Sequence, residues 1–453
     1  MAQQNHHTNT PLFFCNICDR SQQHKDNHDI TGVPYKTVKL SLDSLVGSIK
    51  QVLTFPNKKL LIITDVGLLY AIVGGSITNT YKFDQNSSLD LKLVSPFDGS
   101  SPEWKAIQMA GYTEAVLIIA KSKSQSLLYG IGDNGYYRMT HFKAQNFRCD
   151  VPEIMFDPLH NLSERLLSKE DGEITHVGCC YSFSVCVLNG HDVHFTGQNW
   201  LSSSKNLVSG YHCWSHRSQT MKTRVVKLEC GDFHVVLLHE DHSISVAGNN
   251  NNHQLTSTAN FIGDDVFCTL DLNFLSAYDI FSGSNSMVYI KKDIHNTHKT
   301  FYFAGVATAQ AFALSGNGTV DKINHGTEIE KVTLSGSNRE FFDIQYTRDF
   351  CIIRYFDRPH LLFLYGRLYY GGHDIEHAMI DLSRIVPYDL YSKCVTNVDN
   401  FYRDIVQIRI QPIGFAVYCD FIKYSYSRMS QLLFKALNPE NPNNHLFFDI
   451  SIV

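Results

Sequence analysis

The chain has 453 residues, 43% of them hydrophobic and 12% aromatic, with a formal net charge of −5. That length can bury a large core and, taken alone, predicts two or three domains, while the aromatic content favours strands and excludes global disorder. The charge offers neither the basic tail that announces nucleic acid nor an acidic block, so no direct nucleic-acid binding is expected.

The opening residues, MAQQNHHTNT, lack the charged-then-apolar pattern of a signal peptide, and no apolar run reaches the length of a membrane span. No membrane insertion is therefore expected. Twelve cysteines are scattered rather than framed, as reduced core thiols of an intracellular protein would be, cytoplasmic or nuclear. On that reading the sequons at Asn86, Asn161 and Asn317 arise by chance.

In chain order, a disordered N-terminus over 1–10 is followed at 11–23 (PLFFCNICDRSQQ) by an apolar strand ending in polar turn residues. Residues 48–75 (SIKQVLTFPNKKLLIITDVGLLYAIVGG) hold three short apolar runs separated by turn residues, the pattern of neighbouring antiparallel strands. The plan returns at 104–139 and at 174–200. It is clearest at 225–255 (VVKLECGDFHVVLLHEDHSISVAGNNNNHQL) and weaker at 278–305 and 342–366. Residues 405–420 (IVQIRIQPIGFAVYCD) supply only two strands of a seventh copy. The missing strand is what residues 12–15 look like, so the N-terminus is predicted to complete the last unit and close a ring.

One such unit cannot bury both of its faces, so copies must pack on one another. The bend positions Pro56, Gly111, Gly178, Gly231, Gly283, Thr347 and Pro412 recur roughly every 52 to 67 residues, the period of a propeller blade with variable loops. The predicted fold is all-β, a seven-bladed β-propeller over 11–420 closed by pairing of the N-terminal strand with the last blade. Glycine at a bend would allow positive φ or close approach of a neighbour. Longer insertions fall at about 76–102, 140–171, 306–340 and 373–404, and the second contains LHNLSERLL, one or two helical turns.

At these copies the sequence resembles the regulator of chromosome condensation repeat family. Cys230, Gly231 and His234 match the first half of that pattern. Gly248, Asn250, Gln254 and Leu255 match the second half, with His253 in place of the usual glycine. Gly132 and Asn134 match in the second copy, and Gly197 and Asn199 in the third. The resemblance spans nearly all of 12–420, although no copy is complete. It implies a seven-bladed propeller with a split last blade. Residues 421–453 do not fit the repeat. Within them, SRMSQLLFKAL (427–437) has helical spacing and precedes a strand-like LFFDISIV. This looks like the entry to a BTB domain; the other reading is a short tail packed on the propeller.

Several motifs have plainer readings. Cys15, Cys18, His24 and His28 read C-x-x-C then H-x-x-x-H, a zinc pattern, but the gap between pairs is far shorter than in zinc fingers, and the strand explains Cys15 without metal. No metal is expected, and this set stands as the weaker alternative. His234 beside an apolar strand reads as a hydrogen-bonded core residue. The glycines of GIGDNG follow a strand but open no helix, no phosphate-binding loop occurs, and no Ser-His-acid signature is present. No enzymatic activity and no cofactor are expected. The basic stretch 209–224 carries Tyr211, Trp214 and Arg217, residue types enriched at binding hot spots, and forms the candidate partner-binding loop. The alternative packs Trp214 under that loop.

The leading expectation is a protein-interaction scaffold that uses a propeller rim, with a BTB-type extension as an adaptor. The resemblance implies the alternative, guanine-nucleotide exchange on a Ran-like small GTPase. The partner would then be a small GTPase or, through the extension, a ubiquitin-ligase component.

Overall fold

The computed structural model describes residues 12–17, 35–40, 45–54, 60–73, 90–100, 103–112, 115–140, 143, 147–161, 172–198, 211–212, 214, 218–250, 254–255, 266–270, 277–292, 299–305, 319–323, 329–333, 341–346, 350–368, 373–390, 395, 397–411 and 414–419. The chain opens with β1 (Leu12–Ile17) and β2 (Tyr35–Leu40). Sheet 1 then comprises β3 (Ile49–Thr54), β4 (Leu60–Thr64), β5 (Leu69–Val73) and β6 (Asp90–Leu93). Sheet 2 holds β7 (Lys105–Tyr112), β8 (Ala115–Lys121), β9 (Ser126–Asp133) and β10 (Arg148–Phe156). Sheet 3 holds β11 (Ile174–Cys179), β12 (Phe183–Leu188) and β13 (Asp192–Gln198), with β14 (Tyr211–His212) and β15 (Ser218–Thr220) both on the edge of β13.

Sheet 4 holds β16 (Val225–Cys230), β17 (His234–His239), β18 (Ile244–Gly248) and β19 (Cys268–Thr269). Sheet 5 runs β20 (Ala277–Ser282), β21 (Ser286–Lys292) and β22 (Lys299–Gly305). Outside β22 come β23 (Thr319–Ile323) and β24 (Ile329–Thr333), with β24 against β22. Sheet 6 holds β25 (Phe341–Tyr346), β26 (Phe350–Tyr355), β27 (Leu361–Leu368) and β28 (His373–Asp381). In sheet 7, β29 (Val406–Gln411) and β30 (Gly414–Cys419) meet the chain's first strands in the order β29-β30-β1-β2, with Phe13 opposite Val417 and Cys15 opposite Phe415.

The first strands of successive sheets touch one another, β3 to β7, β11, β16, β20, β25 and β29, and β29 touches β3. The molecule is an all-β propeller. Its cores lie between neighbouring sheets: Leu117, Leu128 and Met155 of sheet 2 pack on Val177, Cys186 and Leu188 of sheet 3, and Val185 and Phe195 of sheet 3 pack on Val235 and Leu237 of sheet 4. Leu12 is buried with Ile49, Val52 and Ile62 of sheet 1 and with Ala416 and Tyr418 of sheet 7. Because each second strand is covered on both faces, β4, β12 and β17 are buried along their whole length and read in sequence as continuous apolar runs.

Six of the seven sheets share a feature that the repeat pattern does not show. The register between first and second strand shifts just before Gln51, Gln108, His176, Lys227, Asp279 and Asp343. Such a bulge bends the strand and re-aims the side chain that follows it. At three of these sites that polar side chain reaches the next sheet. Gln51 Nε2 donates to the Met109 carbonyl at 2.6 Å, and the Met109 N–H donates back to Gln51 Oε1 at 2.9 Å. His176 Nε2 lies 3.1 Å from the Val226 carbonyl. Lys227 Nζ donates to Asp279 Oδ1 and to the Ile280 carbonyl, each at 2.7 Å.

Two predicted bends are corrected. The tight turn from first to second strand closes with an N–H of residue i donating to the carbonyl of i+3: Cys180 to Phe183, Gly231 to His234 and Gly283 to Ser286. Gly178 therefore sits inside β11, opposite Val185, and Gly111 inside β7, opposite Val116. The turn positions equivalent to Gly231 are Cys180 and Tyr112, so glycine does not mark the bend in sheets 2 and 3. Pro56, Thr347 and Pro412 lie outside the described residues, as does the whole of 420–453 with its BTB-like reading. In the second insertion a single helical turn, Pro158–Asn161, is described. Among the described residues no helix is long and apolar enough to cross a membrane.

Candidate functional site

One rim of the propeller carries the turns that join each first strand to its second. The two central residues of each turn are Tyr181 and Ser182 in sheet 3, Asp232 and Phe233 in sheet 4, and Ser284 and Asn285 in sheet 5; Ser182 and Ser284 are buried. The backbone links them in series, since the Tyr181 N–H donates to the Asp232 carbonyl at 2.8 Å and the Asp232 N–H to the Ser284 carbonyl at 3.1 Å. The third strands end on the same rim, at Gly132, Gly197 and Gly248, opposite Ala115, Phe183 and His234. These three glycines have φ of 104°, 115° and 115°. A Cβ on Gly248 would collide with the Phe233 carbonyl oxygen and lie 2.7 Å from His234 Cα, so neither the backbone nor the space admits a side chain.

The motif asparagine fixes the loop that follows. Asn134, fully buried, accepts from the N–H groups of Met139 (2.9 Å) and Thr140 (3.0 Å) and donates to the Thr140 carbonyl (2.8 Å). Asn250 accepts from the Leu255 N–H at 2.7 Å. Asn199 lies outside the described residues. Gly231 is excluded from carrying a side chain for a different reason: its added Cβ would enter the His234 ring and reach 2.5 Å from the carbonyl oxygen of Gly283 in the next sheet.

On this scaffold three sheets assemble an aromatic arc. The Tyr181 ring, 38% exposed, is met by Tyr112 at 5.8 Å, Tyr136 at 5.5 Å and Phe233 at 5.4 Å between centroids, with interplanar angles of 84°, 42° and 61°. Tyr136 and Tyr137 both have left-handed backbone, φ 59° and 57°, a strained conformation for bulky residues and one that tends to persist at binding sites. Arg138 pins that loop, donating to the Tyr181 carbonyl at 3.1 Å while paired with Asp133 at 3.2 Å. The Tyr136 phenol is held above its usual range, chiefly by its hydrogen bond with Tyr181. Beside the rings, the Asp232 carboxylate accepts from the Tyr112 hydroxyl at 2.8 Å; burial pushes this acid up to about 6, against the opposing hydrogen bond from Ser284.

Behind the arc His234 is fully buried, with Nε2 2.8 Å from the Ser282 hydroxyl and 3.3 Å from the Ser286 carbonyl oxygen. Burial pushes its imidazole down to about 4, against the hydrogen bond to Ser286, so it is neutral at physiological pH and ties sheet 4 to sheet 5. Cys230 is half-buried in the same region, and the Cys180 thiol donates to the His234 carbonyl at 3.6 Å. Burial lifts the Cys179 thiol to about 12, the state of an inert core cysteine. Farther down the first strands, burial pulls the Lys227 ammonium down, but Glu229 and Asp279 outweigh it and hold the group above its usual value.

The predicted partner loop needs a correction at Trp214. Its side chain is 0% exposed, its Nε1 donates to the Met139 carbonyl at 3.0 Å, and its ring stacks on Phe156 at 5.5 Å. It is a peg between sheets 2 and 3: a large ring whose N–H finds a buried carbonyl gains more in the core than on a rim. Tyr211 lies on β14 opposite Gln198, and Arg217 lies outside the described residues. Of the four residues of the zinc alternative, Cys15 sits in the β1 ladder and Cys18, His24 and His28 lie outside the described residues. Among the described residues no group of His, Cys, Asp or Glu could hold a metal ion.

Sequence reasoning missed Tyr112, Tyr136, Tyr181, Asp232 and Phe233. The signal was present in Cys179-Cys180-Tyr181 and Cys230-Gly231-Asp232-Phe233. Aligned on the turn rather than on glycine, these place surface-directed residues side by side. What the arc offers is recognition: ring faces, a carboxylate and backbone held in fixed geometry.

No family model and no curated protein matches this sequence. Solved structures match its fold. Human WBSCR16 superposes with a TM-score of 0.54 at 10% identity, over 91% of this chain and 99% of that one. The structure of Kap60 bound to yeast RCC1 (Prp20) matches with a TM-score of 0.53 at 12% identity, over 93% of this chain and 92% of that one. The fold is that of an RCC1-type β-propeller.

Proposed function

We propose that this protein is a non-enzymatic interaction scaffold, intracellular, that docks a protein partner on the rim bearing Tyr181. The observation that carries this reading is the arc itself, with Tyr, Phe and a carboxylate from three sheets converging around a ring that stays 38% exposed. Aromatic residues on rigid scaffolding are the residue types that dominate binding energy. Chemical cross-linking in cells, with the cross-linked peptides identified by mass spectrometry, tests it. Partner cross-links should concentrate on residues 132–140, 180–183 and 231–234; cross-links confined to the opposite rim would overturn the assignment.

The ring on this reading has seven blades, sealed by the N-terminal strand. Seven sheets, the β1–β30 ladder and the burial of Leu12 between sheets 7 and 1 support it. Removing residues 11–23 as well as 1–10 should lower the midpoint of thermal unfolding by several degrees, because sheet 7 loses β1, β2 loses the strand it pairs with, and β30 becomes an unpaired edge. Equal melting of the two trimmed proteins would count against closure. A BTB-type extension over 421–453 would add a second recruitment site, for instance for a ubiquitin-ligase component. The fold likeness to yeast RCC1 favours a second reading, nucleotide exchange on a Ran-like small GTPase. Nucleotide release from a panel of small GTPases separates the two: acceleration at catalytic protein concentration supports exchange, and binding without acceleration leaves the scaffold.

A further inference from the structure

We propose that the Tyr181 arc is a receptor for a cationic side chain, an arginine or lysine presented by a protein partner, seated against the Tyr181, Tyr136 and Phe233 rings and paired with Asp232. This rests on the scaffold reading and names what its rim recognises.

Three features of the arc favour a cation over other occupants. The first is ring geometry. Tyr136 and Phe233 stand at 42° and 61° to Tyr181, so the rings form a corner and not the flat platform on which a sugar would stack. The Tyr181 ring in that corner stays 38% exposed, and an open aromatic face attracts a guanidinium or ammonium. The second is the carboxylate. Asp232 belongs to the same turn as Phe233, its carboxylate accepts from the Tyr112 hydroxyl at 2.8 Å, and burial there works against its anion. A cation laid beside it reduces that cost, and arginine can do so with its planar fork while its face covers a ring. The third is preorganisation. Left-handed Tyr136 and Tyr137 are locked by Arg138 through Asp133 and the Tyr181 carbonyl, and Asp232 is bridged to Tyr112 across the intervening sheet 3. Little freedom remains to be lost on binding. Among the described residues, the corresponding turn of sheet 5 offers Ser284 and Asn285, neither a ring nor a carboxylate.

The test is fluorescence anisotropy with the full chain and a labelled Gly-Ser decapeptide bearing two central arginines. The control peptide carries citrulline, which keeps the size and most hydrogen bonds of arginine but has no charge. We expect the arginine peptide to bind about tenfold tighter or better. Tyr181→Ala should abolish that preference in a protein that still unfolds cooperatively, although the lost ring contacts lower its unfolding midpoint. Asp232→Asn should do the same, and should it fail to fold, Phe233→Leu replaces it. Equal affinity for the two peptides, no binding of the arginine peptide at millimolar concentration, or a preference that survives Tyr181→Ala would overturn the proposal. So would tighter binding of a neutral oligosaccharide, cellohexaose. A failed peptide test with partner cross-links still on this rim sinks the cation site and leaves the scaffold; loss of both sinks both.

Discussion

Between sheets 4 and 5 the tie is His234, a neutral ring reaching Ser282 and Ser286 through a turn whose glycines leave it room. Between sheets 6 and 7 it is Arg354, 2% exposed, which donates to the Val406 carbonyl at 2.9 Å and to the Tyr402 carbonyl, with Asp343 3.7 Å away. Burial lowers this guanidinium to about 10, still charged at neutral pH. Gln345 adds a bond to the Ile408 carbonyl at 2.7 Å. The two regions meet one requirement, holding a sheet to its neighbour, with different chemistry. The first demands small residues at fixed positions and so leaves a repeat in the sequence. The second relies on one long charged side chain, which frees the surrounding turns to drift.

That contrast can be broken. Arg354→Met should cost the most, about 3–5 kcal/mol in urea denaturation, by leaving Asp343 without its countercharge and the Val406 and Tyr402 carbonyls without their donor. If it costs no more than His234→Leu, the two ties are not different in kind. Trp214→Ala should cost about 3 kcal/mol or somewhat more, through the cavity left between sheets 2 and 3; a cost below about 1 kcal/mol would return Trp214 to the surface. Gly248→Ala should cost about 2 kcal/mol from the positive φ and the collision with Phe233.

The smallest effect is one of pH, and it sharpens the comparison. His234 titrates near 4 when folded and 6.5 otherwise, so the unfolded chain binds more protons between those values and stability falls as pH drops from about 6.5 to about 4. Asp232 has the opposite sign: about 6 when folded against 3.8, so its contribution rises as pH drops from about 6 to about 4. The neighbours largely offset each other. Asp232→Asn should therefore steepen the loss of stability between pH 6 and 4, measured from urea midpoints at each pH. An unchanged slope would mean that the pair is not balanced as the geometry implies.

The strand pattern was legible because a strand covered on both faces must be apolar throughout: 235–238 is read from sequence and β17 (His234–His239) is found. Gly248 and Asn134 were legible because positive φ and a four-bond loop anchor admit few residue types. For Trp214 the sequence leaves two readings open, on the rim or packed under the loop, because residue type alone does not say which side of a loop it faces; its burial decides for the second. Gly178 was misread because the turn is defined by a hydrogen bond, which Cys180 makes as well as Gly231 does. Arg354 carried no signal, since an arginine among Cys351-Ile352-Ile353 looks like the outward residue of an alternating strand.

By itself the sequence determined an all-β chain of recurring antiparallel units, because apolar periodicity and turn chemistry act over a few residues at a time. Only the tertiary structure decided which side chains meet across sheets: Tyr112 with Asp232, Tyr181 with Phe233, Arg354 with Val406. Those partners lie tens to more than a hundred residues apart, and their meeting is set by how the sheets are stacked around the axis, which no local pattern encodes.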